Sequence, residues 1–254
     1  MTQPPGVRAL MPAAPTRGPL LRACAIEARY GQIRALRGVS LEVESGQAIA
    51  VLGPNGAGKT SLANVVAGLL VPRSGRLEID GVDVTGSPPE QITARGIAQC
   101  MEGRRIFPGL TVEQNLLIAA RGVGSAETQR RLAAVHALFP VLAVRRSAPG
   151  TSMSGGQQQM LAIARALMAR PRLIVFDEIS LGLAPLILDQ LYAVLGALKA
   201  QGLAMLIVEQ DVQRALALTD RVYVLDHGEV ALAGTPAAIK ADPKLRHLYV
   251  GSPP

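Results

Sequence analysis

The chain has 254 residues, 49% of them hydrophobic, and 26 Lys and Arg against 19 Asp and Glu leave a net charge of +7. It can therefore bury a full core, as one large or two small domains. Its two cysteines, Cys24 and Cys100, are too few for a disulfide framework and point to a reducing compartment. No apolar run is long enough to span a bilayer, so any membrane link must come through a partner. A basic balance raises nucleic acid or an anionic membrane as partners. With only 3% aromatic residues and no basic cluster interleaved with them, a scattered, solvated basic surface fits better.

Residues 1–20 are rich in Pro, Ala and Arg, hold no acidic residue and contain a second methionine, Met11. They lack the apolar stretch of a secretory signal and read as a disordered tail, with Met11 or a later residue as an alternative start. Leu21 to Tyr30 and Ser40 to Val43 read as strands, and Ala48 to Leu52 as a short buried one. Beyond residue 60, Leu62, Val65, Val66 and Leu69 follow helical spacing. A strand near Arg76 to Ile79 ends at the turn signal Asp80-Gly81. Thr111 to Phe139 reads as helical, with Leu116, Leu117 and Ala120 and then Leu132, Val135 and Leu138 on apolar faces. After Ser154 a helix buries Met160, Ile163, Ala164 and Leu167. Leu173 to Phe176 and Leu203 to Val208 are apolar strands joined by a helix from Leu186 to Lys199, and Gly251 to Pro254 read as loose. This alternation predicts a mostly parallel α/β core with a helical block inserted, and without internal repeats, hence one nucleotide site per chain.

The chemistry starts at Gly53-Pro54-Asn55-Gly56-Ala57-Gly58-Lys59-Thr60, followed by Ser61, which fits the pattern G-x-x-x-x-G-K-[ST]. Its glycines let successive N–H groups curl toward one oxyanion. Lys59 can reach β/γ-phosphates, and the Thr60 hydroxyl is placed for Mg²⁺. Strand before and helix after put a helix N-terminus at the phosphates. A second motif, Leu173 to Glu178, ends an apolar strand in two carboxylates at the sheet edge where α/β ligands bind. Asp177 would hold Mg²⁺ through water, and Glu178 would polarise the attacking water as general base. A third, Met153-Ser154-Gly155-Gly156-Gln157, opens a helix. Ser154 reads either as a plain N-cap or as part of a loop that holds an anion on bare N–H groups.

A phosphate loop, then Ser-Gly-Gly-Gln, then a strand ending Asp-Glu, resembles the ATP-binding subunit of ABC transporters over roughly residues 21–250. The resemblance implies an α/β, phosphate-loop NTPase core with a mostly parallel sheet, an antiparallel β-subdomain and an inserted helical subdomain near residues 100–170. In that family two subunits sandwich two ATP molecules. Ser154, Gly155, Gly156 and Gln157 would then bind the γ-phosphate of the partner's ATP. Glu102-Gly103-Arg104-Arg105-Ile106-Phe107-Pro108, Leu110-Thr111-Val112, Gln157 to Ala162, Ser180 to Pro185 and Val208-Glu209-Gln210 are similar to the LivF-type subunit of branched-chain amino-acid importers. Members of that group also import urea and short amides.

Carried over residue by residue, the resemblance implies that Glu102, rather than Gln99, stands at the Mg²⁺-sensing glutamine, although Cys100-Met101 replaces the usual Val-Pro. Gln210 stands at the switch histidine, where its amide can donate to a γ-phosphate oxygen but cannot titrate near neutrality. Ala184 replaces an Asp. Ile179 replaces the proline that normally follows Glu178, which is expected to loosen that turn. Tyr30 reads as an adenine-stacking residue or as a strand residue packed in the β-subdomain. Arg104 and Arg105, near the groove that takes a membrane partner's helix, read as contacts to that helix, to a phosphate, or to solvent alone. The implied protein hydrolyses ATP with Mg²⁺ as the motor of an importer, at the cytoplasmic face of the inner membrane. Its partners would be a second, non-identical ATPase, permease subunits and, indirectly, a periplasmic solute-binding protein, with no nucleic acid. Alternatives from the same resemblance are a lipid or lipopolysaccharide exporter and, lower, a soluble ABC ATPase acting on ribosomes or DNA.

Overall fold

The computed structural model describes residues 7–11 and 18–250. Strands β1 (Pro19–Tyr30) and β2 (Ile33–Glu44) form an antiparallel hairpin turned at Gly31. Strand β3 (Ala48–Leu52) leaves this sheet for the second one, and β4 (Ser74–Ile79) and β5 (Val82–Asp83) return to complete the order β2-β1-β4-β5. Helix α1 (Lys59–Val66) follows β3, and α2 (Pro89–Ala94) leads into β6 (Ile97–Cys100). A helical layer comes next: α3 (Val112–Leu117), α4 (Ser125–Leu138), α5 (Pro140–Val144) and α6 (Gly155–Met168). The chain closes through β7 (Leu173–Asp177), α7 (Pro185–Ala200), β8 (Ala204–Val208), α8 (Val212–Leu218), β9 (Arg221–Asp226), β10 (Glu229–Gly234), α9 (Pro236–Ala241) and α10 (Pro243–Val250). The second sheet runs β10-β9-β3-β8-β7-β6, parallel except for the edge strand β10.

Every residue of β3, β7 and β8 is buried, as expected of parallel strands covered on both faces. The two-residue period of β7 sorts its side chains. Ile174 and Phe176 pack with the helical layer, while Leu173 and Val175 pack with α1 and the antiparallel sheet. The same holds for Met205 and Ile207 against Leu206 and Val208 in β8. One sheet thus separates the core beneath the antiparallel sheet from two cores on its other face, the helical layer's and a third where Ala50, Leu52, Val222 and Val224 meet α8 and α9. Its C-terminal edge is left free for chemistry.

The N-terminal stretch departs from the expected disordered tail over residues 1–20. Val7–Leu10 form a 3-10 turn, Leu10 and Met11 are buried in the helical-layer core, and β1 begins at Pro19. The Arg170 Nε donates to the Met11 carbonyl. Two adjacent apolar residues in a Pro/Ala-rich background gain more from covering that layer than from water. The rest of that tail, residues 1–6 and 12–17, and the C-terminal residues 251–254 lie outside the described residues.

Candidate nucleotide site

Four parallel strands deliver their chemistry to one edge. β3 ends at the phosphate loop, β6 at the turn carrying Glu102, β7 at Asp177-Glu178 and β8 at Glu209-Gln210. Register explains why they meet: Asp177 lies beside Val208, which lies beside Val51.

The phosphate loop turns into α1 at Gly58, whose φ is +102°. A Cβ there would sit 2.5 Å from the Ala35 carbonyl, so only glycine lets the loop close against β2. No side chain caps α1, leaving its first N–H groups directed at the loop's concavity. Lys59 is 4% exposed and folds back: Nζ donates to the carbonyls of Gly53 (2.9 Å) and Pro54 (3.1 Å) and lies 3.6 Å from Glu178 Oε1. Tyr30, Asn55, Gly56, Gly58, Lys59, Thr60, Ser61 and Glu178 line one cleft beside Ile33 and Arg34. Tyr30, 48% exposed, is not packed in the β-subdomain, and its hydroxyl accepts from Asn64 Nδ2 at 3.4 Å.

Thr60 Oγ1 donates to Asp177 Oδ1 at 3.1 Å. Burial pushes the Asp177 carboxyl up to about 6; the Thr60 hydrogen bond opposes this, and the charges of Glu178 and Glu102 add to it. Thr60, Asp177 and the nearby Glu102 form an oxygen-only set with surplus negative charge, the chemistry that suits Mg²⁺. Among the described residues no three His, Cys, Asp or Glu side chains group as a metal cage, so such a cation would also need phosphate oxygens and water. Gln99 instead donates to Asn64 Oδ1 at 3.4 Å.

Glu178 adopts φ +49°, a left-handed backbone uncommon for glutamate, and its N–H donates to the Val208 carbonyl at 2.9 Å. Gln210 Nε2 donates to Glu178 Oε2 at 2.9 Å. The turn expected to be loosened by Ile179 is held. Ile179 is buried, the Ser180 N–H donates to Glu209 Oε1 at 3.0 Å, and the Ser180 hydroxyl donates to Glu209 Oε2. Glu209 is fully buried, and that burial raises its pKa against the lowering hydrogen bonds from Ser180 and Gln210.

Two contacts of this edge escaped sequence reasoning. One is Glu209, visible there only as part of a matched tripeptide. The other is Tyr249 in α10, whose hydroxyl accepts from the Gly53 N–H at 2.8 Å across 196 residues. No local signal could have found either, because both depend on strands and helices far apart in the chain.

None of Ser154, Gly155, Gly156 and Gln157 lines the cleft. Ser154 is the N-cap of α6 in a capping box: its Oγ accepts from the Gln157 N–H, and Gln157 Oε1 accepts from the Ser154 N–H at 3.1 Å. The N–H groups expected to be bare are thus partly filled by the motif's own side chains, leaving those of Gly155 and Gly156. A Cβ on Gly156 would lie 2.5 Å from Ile187 Cγ2, so glycine is required where α6 meets α7. The Arg104 guanidinium rests against Gly155, and Arg165 stacks over the Phe107 ring at 5.1 Å.

Fold and site define a nucleotide-binding α/β protein of the phosphate-loop type. The family model described as ABC transporter matches residues 36–180. Over 222 residues the chain is 41% identical to the high-affinity branched-chain amino acid transport ATP-binding protein BraG of Pseudomonas aeruginosa, spanning 87% of this chain and 95% of that one. It is 35% identical to a probable branched-chain amino acid transport ATP-binding protein LivF of Archaeoglobus fulgidus, spanning 91% and 99%. A nucleotide-free ATP-binding cassette from an ABC transporter superposes with a TM-score of 0.83 at 28% identity, covering 92% of this chain and all of that one. The chain belongs to the ABC transporter family, as its ATP-binding cassette ATPase. No helix among the described residues is long and apolar enough to cross a membrane.

Proposed function

We propose that the chain is the ATP-hydrolysing motor subunit of an importer for branched-chain, hydrophobic amino acids. The observation that carries the hydrolytic part is the line Lys59–Glu178–Gln210 at the mouth of one cleft, 3.6 and 2.9 Å per step. Lys59 and the uncapped start of α1 bind the substrate's phosphates, and Tyr30 stacks on its adenine. As the phosphates draw Lys59, the Glu178 carboxylate loses its cation and is free to take a proton from the attacking water. Gln210 keeps that carboxylate oriented through its amide and can offer a hydrogen bond to the γ-phosphate. When bound, Mg²⁺ held by Thr60, Asp177 and Glu102 supplies neutralisation of the phosphate charge.

The importer part is supported by the similarity to BraG and LivF. Because Ser154–Gln157 stand outside the chain's own cleft, they are free to meet a nucleotide on a second ATPase, which we take to be a non-identical subunit. Permease subunits would hold the pair at the cytoplasmic face of the inner membrane, with a periplasmic solute-binding protein acting through them. ATP binding closes the pair, and loss of the γ-phosphate reopens it.

The test is uptake of labelled leucine and, in parallel, urea by cells carrying Lys59→Ala in place of the native protein. Loss of leucine uptake alone is the expected result. Loss of urea uptake alone moves the chain to urea and short-amide import. No loss of either overturns the branched-chain and short-amide readings.

A further inference from the structure

Glu209 is a buried carboxylate with no lysine or arginine paired to it among the described residues. Burying a charge without a cation is costly unless several donors point at it. Three do. The Ser180 N–H reaches Oε1 at 3.0 Å, the Ser180 hydroxyl reaches Oε2, and the Gln210 N–H reaches Oε2 at 3.3 Å. Two of these donors sit two residues after Glu178, and the third belongs to the residue whose side chain holds Glu178 at 2.9 Å. The hydrogen bonds therefore close a ring: Glu178 through Ile179 to Ser180, across to Glu209, along the chain to Gln210, and back to Glu178.

The ring has work to do. Glu178 sits at φ +49°, a backbone that glutamate leaves unless its neighbours over-determine it. Ile179, which follows, contributes no fixed φ and no polar group to the turn. Apart from the Val208 carbonyl that accepts from the Glu178 N–H, the polar groups spanning the two loops are those of Glu209 and Gln210.

We infer that Glu209 is a positioning residue for hydrolysis, which clamps the loop after Glu178 and aligns that carboxylate with Gln210. It touches no substrate; it acts through Ser180 and Gln210. The inference rests on the reading of Glu178 as general base and deepens it.

The experiment uses the full chain assembled with its partner ATPase and compares Glu209→Ala, Glu209→Gln and Ser180→Ala for ATP turnover, KM and ATP affinity. Glu209→Ala should lower kcat by about 10- to 100-fold, the scale expected when a reacting group is misplaced by about 1 Å. KM and affinity should change less than about twofold, since Lys59 and the phosphate loop are untouched. Glu209→Gln, which keeps an acceptor for the Ser180 N–H, should recover part of the loss. Ser180→Ala should lower kcat by less, and combining it with Glu209→Ala should add nothing further, because both open the same ring. Faster amide exchange at Ser180 in Glu209→Ala is the readout that does not depend on turnover.

Unchanged kcat in Glu209→Ala would overturn the inference, as would full additivity with Ser180→Ala. If Glu209→Ala fails to fold, Ser180→Ala decides: kcat lowered at constant affinity supports the ring, and wild-type kcat overturns it. If the wild-type chain, assembled with its partner ATPase, binds ATP without hydrolysing it, the motor reading itself fails. The ring is then judged by exchange alone, and an unaltered Ser180 amide in Glu209→Ala or Glu209→Gln sinks it.

Discussion

Two helices of this protein begin at glycine-rich turns, and they treat their first N–H groups in opposite ways. Helix α1 starts after Gly58 without a side-chain cap, beside a buried lysine, so its donors are left to a ligand. Helix α6 starts after Ser154, which with Gln157 closes a capping box on two of its own donors. A helix start open to a nucleotide costs stability that nothing in the chain returns, and the lysine beside it must be occupied by loop carbonyls. A self-capped start is stable alone and leaves uncapped only the N–H groups of half-buried Gly155 and buried Gly156. The first belongs to the chain's own site; the second is stable without a ligand.

Substitutions at either start, and at the acids facing them, break or sharpen this contrast. The largest effect is expected from Glu178→Gln. It should cut ATP turnover by about 10²- to 10⁴-fold while leaving nucleotide affinity nearly intact, as kinetics beside equilibrium binding would show. Wild-type turnover would remove Glu178 from its role. Next comes Lys59→Ala, which removes the cation of the open start and should weaken ATP binding by roughly 10- to 100-fold, the value of a charged hydrogen bond. Calorimetry that finds unchanged affinity would refute the phosphate-loop assignment.

Ser154→Ala should act on the other start only. Loss of the cap should lower unfolding stability by about 1 kcal/mol in denaturant titration, with the chain's own ATP affinity unmoved. A drop in that affinity would mean the two starts are not independent. The smallest effect concerns His136 in α4. Burial lowers its pKa below the ordinary 6.5, with Glu113 opposing and Arg146 assisting. The unfolded chain therefore takes up the proton first, and stability falls as pH drops below about 6.5. In His136→Gln the melting temperature should fall less between pH 7 and pH 5.5 than in wild type.

Much of the site was legible from local pattern. Ala48–Leu52 matches β3 end to end, and the phosphate loop lies between it and α1 as its glycines and lysine require. Helix α6 buries Met160, Ile163, Ala164 and Leu167 as expected, but Leu161, Ala162 and Met168 are buried too, so it is covered on more than the one expected face. Other elements were hidden by their own composition. The first half of β2, exposed at Ile33, Arg34 and Arg37 around the buried Leu36, carries no alternation, so the strand looked shorter than it is. Strand β6 has only four residues, and the 111–139 stretch read as helical is interrupted at Arg121–Gly124, between a 3-10 turn and α4. Strands β9 and β10 and the helices after them, Tyr249 included, left no motif to find.

By itself the sequence determined the stretches whose cause is local: an apolar run ending in a glycine turn, a strand ending in two acids, a serine three residues before its capping glutamine. Propensity, capping and periodicity act over a few residues, so these survive any reading of the chain. Only the tertiary structure decided which of them touch. Lys59 meets Glu178, Ser180 meets Glu209 across 29 residues, and Gly53 meets Tyr249 across 196. Such pairs follow from parallel register and from the packing of cores on both faces of one sheet, which bring together groups that the chain keeps far apart.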